Sequence, residues 1–178
     1  MKKLAIVLVA FVCGAMALAG ADAVFDYTSR TEFCISCHTM RWNYEEYKTT
    51  VHYQNRLGIK TECADCHVPK EFFPKVVSKI VALKDVYHQF AGTIDTREKF
   101  DAHRWVMANR VWDKMTASDS RECRTCHEYA DMDLSQQSRI ASRRHEKAQT
   151  EGKTCIECHR GIVHQIPRAP VQAAAVHP

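Results

Sequence analysis

Apolar and polar positions divide the chain into a few unequal stretches. Behind Lys2 and Lys3, an apolar run from Leu4 to Ala21 passes eighteen residues without a charge before Asp22 and Asp26. That length predicts a helix able to cross a membrane, extended by Ala23 to Phe25 past one aspartate. Between Pro74 and Gly92, Val76, Val77, Ile80, Val81, Val86, Tyr87 and Phe90 recur at helical spacing, with Lys75, Lys79, Lys84 and Asp85 among the polar positions. Pro74 suits a first helical turn, and Ala91-Gly92 supplies the stop. Asp95 with Glu98 three residues on resembles a capping box, so a second helix is expected to open there. Phe100, His103, Met107, Val111 and Met115 would share one of its faces. Nothing alternates convincingly as a strand does. The expected fold is therefore mostly α with much loop. An N-terminal segment, anchor or signal, occupies 1–25, one domain occupies 26–167, and an Ala/Pro-rich tail at 168–178 is expected to be disordered.

Composition changes this picture at one point. The 178 residues are 46% apolar and 26% charged, enough for one domain, and 25 Lys+Arg against 21 Asp+Glu leave only +4 with no long basic run. Nucleic acid is thus a poor candidate partner. Aromatic residues make up 9%, which is thin material for a core, whereas nine Cys and ten His are many. Eight of the cysteines form four C-x-x-C pairs, each followed at once by histidine: Cys34, Cys37 and His38; Cys63, Cys66 and His67; Cys123, Cys126 and His127; Cys155, Cys158 and His159. C-x-x-C-H attaches c-type haem, with two thiols bonded to one macrocycle while the adjacent imidazole reaches the iron. Zinc ribbons and thioredoxin-like sites also use C-x-x-C, but neither needs a histidine after every second cysteine. Four covalent haem c groups would themselves supply much of the missing interior.

The leading charges put the N-terminus in the cytoplasm and the haem domain outside, in a bacterial periplasm. Two fates stay open for the apolar run: a single-pass inner-membrane anchor, or a signal cleaved after Ala17-Leu18-Ala19 or Ala19-Gly20-Ala21. Cys13 lies inside that run, and Ala10-Phe11-Val12 lacks the small residue that a lipid-modified cysteine needs before it.

The first motif cysteines stand at 34, 63, 123 and 155, which reads as two di-haem modules with an insertion between them. Six further histidines are available: His52, His88, His103, His145, His164 and His177. His52 and His145 recur between the motifs of each module, and His164 lies five residues past His159, so these three are the candidate distal ligands. His88 and His103 suit packing roles, and His177 lies in the tail. One iron is left short. Met40, two residues past His38, could serve it by a thioether, which raises reduction potential, or could pack on the haem.

The segments Phe33 to Asn43, Glu45 to Tyr53, Cys66 to Lys70, Ile94 to Thr96, Ala102 to Arg104, Glu122 to Arg124 and Cys155 to His159 resemble the NapC/NirT family of membrane-anchored tetrahaem quinol dehydrogenases, over about Ala19 to Pro167. Motif spacing is close to that of the nitrate-reductase branch. The resemblance implies an uncleaved anchor and a first haem, on Cys34 and Cys37, next to the bilayer and a quinol pocket. In related NrfH-type proteins the methionine matching Met40 binds that iron in place of the motif histidine, with the acid matching Asp85 opposite, so Met40 and His38 are alternatives here. Lys79 and Asp85 match pocket residues, and His52, His145 and His164 match distal ligands. Lys70 stands where many relatives carry histidine. Menaquinol or ubiquinol would be the donor, and a periplasmic nitrate reductase the implied acceptor, with a nitrite reductase second. Two other readings are a soluble periplasmic tetrahaem shuttle and a haem enzyme reducing nitrite or hydroxylamine.

Overall fold

The computed structural model describes residues 2–170, so His177 and most of the expected tail lie outside the described residues. It is helical with long connections, and no strand occurs among the described residues. Helix α1 (Lys2–Tyr27) is one uninterrupted rod with no buried residue. Its 26 residues span about 39 Å at 1.5 Å each, more than the roughly 30 Å of a bilayer's hydrocarbon core. Two short helices follow, α2 (Thr31–Cys34) and α3 (His38–Tyr47), then α4 (Cys63–His67). The insertion is the expected helix pair, α5 (Phe72–Phe90) and α6 (Arg97–Ala117). Beyond it come α7 (Arg121–Arg124), two single 3₁₀ turns, α8 (Arg139–Glu151) and α9 (Cys155–Cys158).

Local chemistry explains the ends of the pair and corrects two expectations. Gly92 adopts φ 70° just past α5, a conformation that suits glycine. The cap of α6 is Thr96, whose hydroxyl accepts the Lys99 N–H, and not Asp95. Asp95 instead forms an ion pair with Lys99 at 2.7 Å and turns its carbonyl toward His38. His103 also leaves the face assigned to it: Phe100 is buried and Met107, Val111 and Met115 are half-buried, but His103 is exposed, its Nδ1 2.8 Å from the Lys99 carbonyl of its own helix.

Buried apolar side chains are few: Tyr47, Ile94, Phe100, Trp112 and Ile156. None of the nineteen residues of α5 is buried. What ties the short motif helices together is a polar clasp made twice. Thr31, three residues before Cys34 and almost wholly buried, accepts the Cys63 N–H at 3.2 Å and donates its own N–H to Glu62 Oε2 at 3.1 Å. Ser120, three residues before Cys123 and fully buried, accepts the Ile156 N–H at 3.1 Å. The helices so held, α4 and α9, both open on capping boxes, Glu62 with Asp65 and Thr154 with Glu157. Ser120 reaches its place through a left-handed turn with Asp119, φ 50° and 52°, which Arg124 braces by bonding the Asp119 carbonyl and carboxylate at 2.9 Å each.

Candidate haem and quinol site

Three of the four motif histidines face a second imidazole. Ring centroids of His52 and His127 are 6.1 Å apart, those of His67 and His164 6.3 Å, and those of His145 and His159 5.9 Å. Two metal–imidazole bonds of about 2 Å together with the two ring radii span roughly 6 Å, so each pair has room for one iron between its rings. With two cysteines beside each motif histidine, these residues fit covalent haem. Among the described residues no three His, Cys, Asp or Glu side chains converge as a zinc cage would require, and all nine cysteines are unbridged.

Sequence named the three distal candidates but not their partners. His52, from the first half of the chain, faces the third motif, and His164, from the last segment, faces the second. Each is fixed from behind. The His52 carbonyl accepts from the Thr61 N–H at 3.1 Å, the Thr61 hydroxyl at 3.0 Å and the buried Tyr47 hydroxyl at 3.2 Å, closing the 52–61 loop on itself. His145, on α8, has Nδ1 2.6 Å from Gln137 Oε1, which leaves Nε2 for His159's side. Behind His164 stands a network that sequence reading passed over. Glu46 Oε2 accepts the Gln165 N–H at 2.9 Å and the Arg104 guanidinium, and lies 3.9 Å from His164 Nδ1. Burial works against the Glu46 charge, but Arg104 and the Gln165 N–H outweigh it and hold its carboxyl below the usual range. Glu46 and Arg104 both fall inside segments that resemble the family, the only signal that could have pointed to them.

His38 behaves differently. Its Nε2 is 2.7 Å from the Asp95 carbonyl, and its ring lies edge-on to Trp42 at 6.0 Å. Met40 is half-buried on α3, beside Thr39, whose fully buried hydroxyl donates to Gln89 Oε1 of α5 at 2.5 Å. Asp85 is exposed, one turn before Gln89 and thus on the side of α5 that meets α3. Lys79 is on a different side: six residues from Asp85 is about 240° around a helix, and its Nζ donates to Thr28 Oγ1 at 2.9 Å, just past the end of α1. The two are not brought together. Burial holds the Lys79 ammonium pKa below its usual value, against the nearby Cys34. Between the last turn of α1 and the first motif, a cavity of about 350 Å³ is lined by Tyr27, Arg30, Glu32, Phe33 and Ser36.

Two remaining candidates bond to other side chains. His88 Nδ1 is 3.2 Å from Thr93 Oγ1, and Lys70 forms a surface ion pair with Asp65. The motifs themselves follow one another in space. Thr31, three residues ahead of Cys34, bonds the Cys63 N–H at 3.2 Å and so sets the first motif beside the second. Helix α4 of the second motif packs against α7 of the third, and Ser120, three residues ahead of Cys123, bonds the Ile156 N–H of the fourth at 3.1 Å.

Comparison with known proteins gives relatives over nearly the whole chain. A family model described as the NapC/NirT cytochrome c family, N-terminal region, matches residues 1–169. A tetraheme cytochrome-c type protein of Allochromatium vinosum is 58% identical over 164 residues, 92% of this chain and 89% of that one. Cytochrome c-type protein NapC of Escherichia coli strain K12 is 44% identical over 163 residues, 91% of this chain and 82% of its own length. Cytochrome c-type protein TorY of Haemophilus influenzae is 44% identical over 94% of this chain, which spans 45% of TorY. Among solved structures, a chain of the cytochrome c nitrite reductase NrfHA complex bound to the HQNO inhibitor has the same fold, with a TM-score of 0.51 at 22% identity, covering 97% of this chain and 99% of that one.

Proposed function

The chain belongs to the NapC/NirT cytochrome c family, and from that footing we propose that it is a membrane-anchored tetrahaem cytochrome that oxidises quinol beside its first haem and delivers the electrons to a periplasmic reductase. The observation that carries the quinol step is the contrast among motif histidines. His67, His127 and His159 each face a second imidazole, whereas His38 is engaged by the Asp95 carbonyl at 2.7 Å. That contrast supports reading the first iron as the one whose ligation departs from the histidine pair. Met40 is the ligand we assign to it, with His38 the alternative.

Haem c, when bound, supplies one-electron redox chemistry. The chain's own residues must receive the quinol and dispose of its two protons. Lys79 and Thr28 join α5 to the foot of α1, so the first motif is held where the anchor would leave the bilayer. The cavity lined by Tyr27, Arg30 and Phe33 opens at that junction, within reach of a headgroup rising from the membrane. The Lys79 ammonium at the foot of α1 can orient a quinol oxygen, and the exposed carboxylate of Asp85, on another side of α5, can take the proton by way of water. The exposed apolar side of α5, including Phe73, Val77, Ile80 and Val81, would rest on the bilayer surface. Lys2 and Lys3 favour a cytoplasmic N-terminus and a periplasmic haem domain.

Succession of the motifs, first beside second, second beside third and third beside fourth, supports passage of electrons along the haems. A nitrate reductase is the acceptor that the resemblance to the nitrate-reductase branch implies, with a nitrite reductase second. Menaquinol and ubiquinol both suit the chemistry. Magnetic circular dichroism tests the unusual iron directly: Met40→Ala should abolish one ligand signature out of four, and His38→Ala should leave it. The opposite pattern would assign the first iron to His38.

A further inference from the structure

We propose that the Glu46–Arg104 pair positions His164 on the second iron and, through it, tunes the reduction potential of that haem. The inference rests on the reading of His164 as a haem ligand and assigns roles to two residues that no motif specifies.

Three elements meet at the pair. Glu46 comes from α3 and Arg104 from α6, and both side chains are only 12% exposed. The third element is the chain after α9, which has no helix of its own to hold it. Its Gln165 peptide is gripped on both sides: the N–H donates to Glu46 Oε2 at 2.9 Å, and the carbonyl accepts from Arg104 Nη2 at 3.1 Å. Gln165 adjoins His164, so the grip fixes the backbone from which the imidazole projects toward His67. With Nε2 the nitrogen toward the iron, His164 Nδ1 is the second ring nitrogen; it lies 3.9 Å from Glu46 Oε2, beyond hydrogen-bond range, and has no hydrogen-bond partner of its own. Metal-bound histidines commonly direct that second nitrogen at a carboxylate, which fixes the ring and strengthens it as a donor. Here Arg104 shares the carboxylate. A stronger donor favours ferric iron and lowers the potential, and the guanidinium moderates that effect by drawing on the same oxygen.

The two partners should therefore act in opposite directions. In the full-length protein, Glu46→Gln keeps an acceptor for Arg104 and Gln165 but removes the charge, and one of four potentials should rise. Arg104→Gln leaves the carboxylate to the imidazole and the Gln165 N–H, and the potential of that haem should fall. Loss of an outer partner commonly costs about tenfold in ligand affinity, and tenfold in the reduction equilibrium is about 59 mV for a one-electron couple. Glu46→Ala should loosen the segment enough for one haem in four to bind carbon monoxide. The exposed neighbour serves as control: Glu45→Gln should change nothing.

Potentiometric titration of variants carrying four haems reads the result. Unchanged potentials in both charge variants would overturn the proposal. Shifts of the same sign would also overturn it, since a merely structural pair loosens the site whichever partner is lost. Loss of haem in place of a shift counts against it too. His164→Ala separates the two levels of the argument: if it leaves all four irons six-coordinate, the ligand reading itself fails. If it opens one iron while the Glu46 and Arg104 variants change nothing, only the present inference does.

Discussion

A histidine two residues from a methionine and one residue past a cysteine can do several things, and its neighbours select among them. His38 has a carbonyl at Asp95 to bond, while His52, His145 and His164 are each directed at a motif imidazole. Replacing His52 or His145 singly by alanine should leave the chain with four covalent haems and open one iron in each case. Carbon monoxide titration should then find one binding haem in four; none in either variant would remove that residue from the ligand set. Which residues carry the haems was legible in the sequence because C-x-x-C-H spacing is a local requirement of the attachment chemistry. Which motif imidazole each candidate histidine faces was not, since His52 reaches the third motif and His164 the second only through the folded path of the chain. Glu46 and Arg104 were illegible for the same reason: a glutamate and an arginine on separate helices have no spacing to betray them.

Elements were legible in proportion to their periodicity. The charge-free run of α1 and the apolar side of α5 announce helices whatever surrounds them, but periodicity alone does not say what an apolar side meets. On α5 it meets no protein, and on α6 it loses His103 to a bond with the helix's own backbone. The start of α6 slipped by one residue because Asp95 and Thr96 are both competent caps, and the ion pair with Lys99 withdrew the aspartate. The motif helices are four or five residues long, too short to stand unaided. The Thr31 and Ser120 clasps replace the missing length. Thr31→Val and Ser120→Ala each strand a buried N–H, at a cost of about 1–3 kcal/mol. Thermal unfolding of the holoprotein should show a clear fall in Tm for both. A Tm unchanged in either variant would mean that the covalent haems alone hold those helices.

At the scale of the molecule, a single apolar rod, a helix with an exposed apolar side and a string of four haem motifs suit the proposed direction, from membrane to periplasm. Its buried apolar side chains number few, and its polar contacts are spent on aiming imidazoles and joining α5 to the foot of α1. That arrangement suits the proposed passage of electrons from a lipid-soluble donor at one end. Stopped-flow reduction of the purified full-length protein in lipid nanodiscs by menaquinol tests that claim most directly, with Met40→Ala, Lys79→Gln and Asp85→Asn compared. Wild type should fill its haems in sequence from one end, and each variant should slow by roughly tenfold or more, the loss of about 1.4 kcal/mol of transition-state stabilisation, while dithionite still reduces all four haems. Menaquinol reduction at the wild-type rate in all three variants would contradict the account.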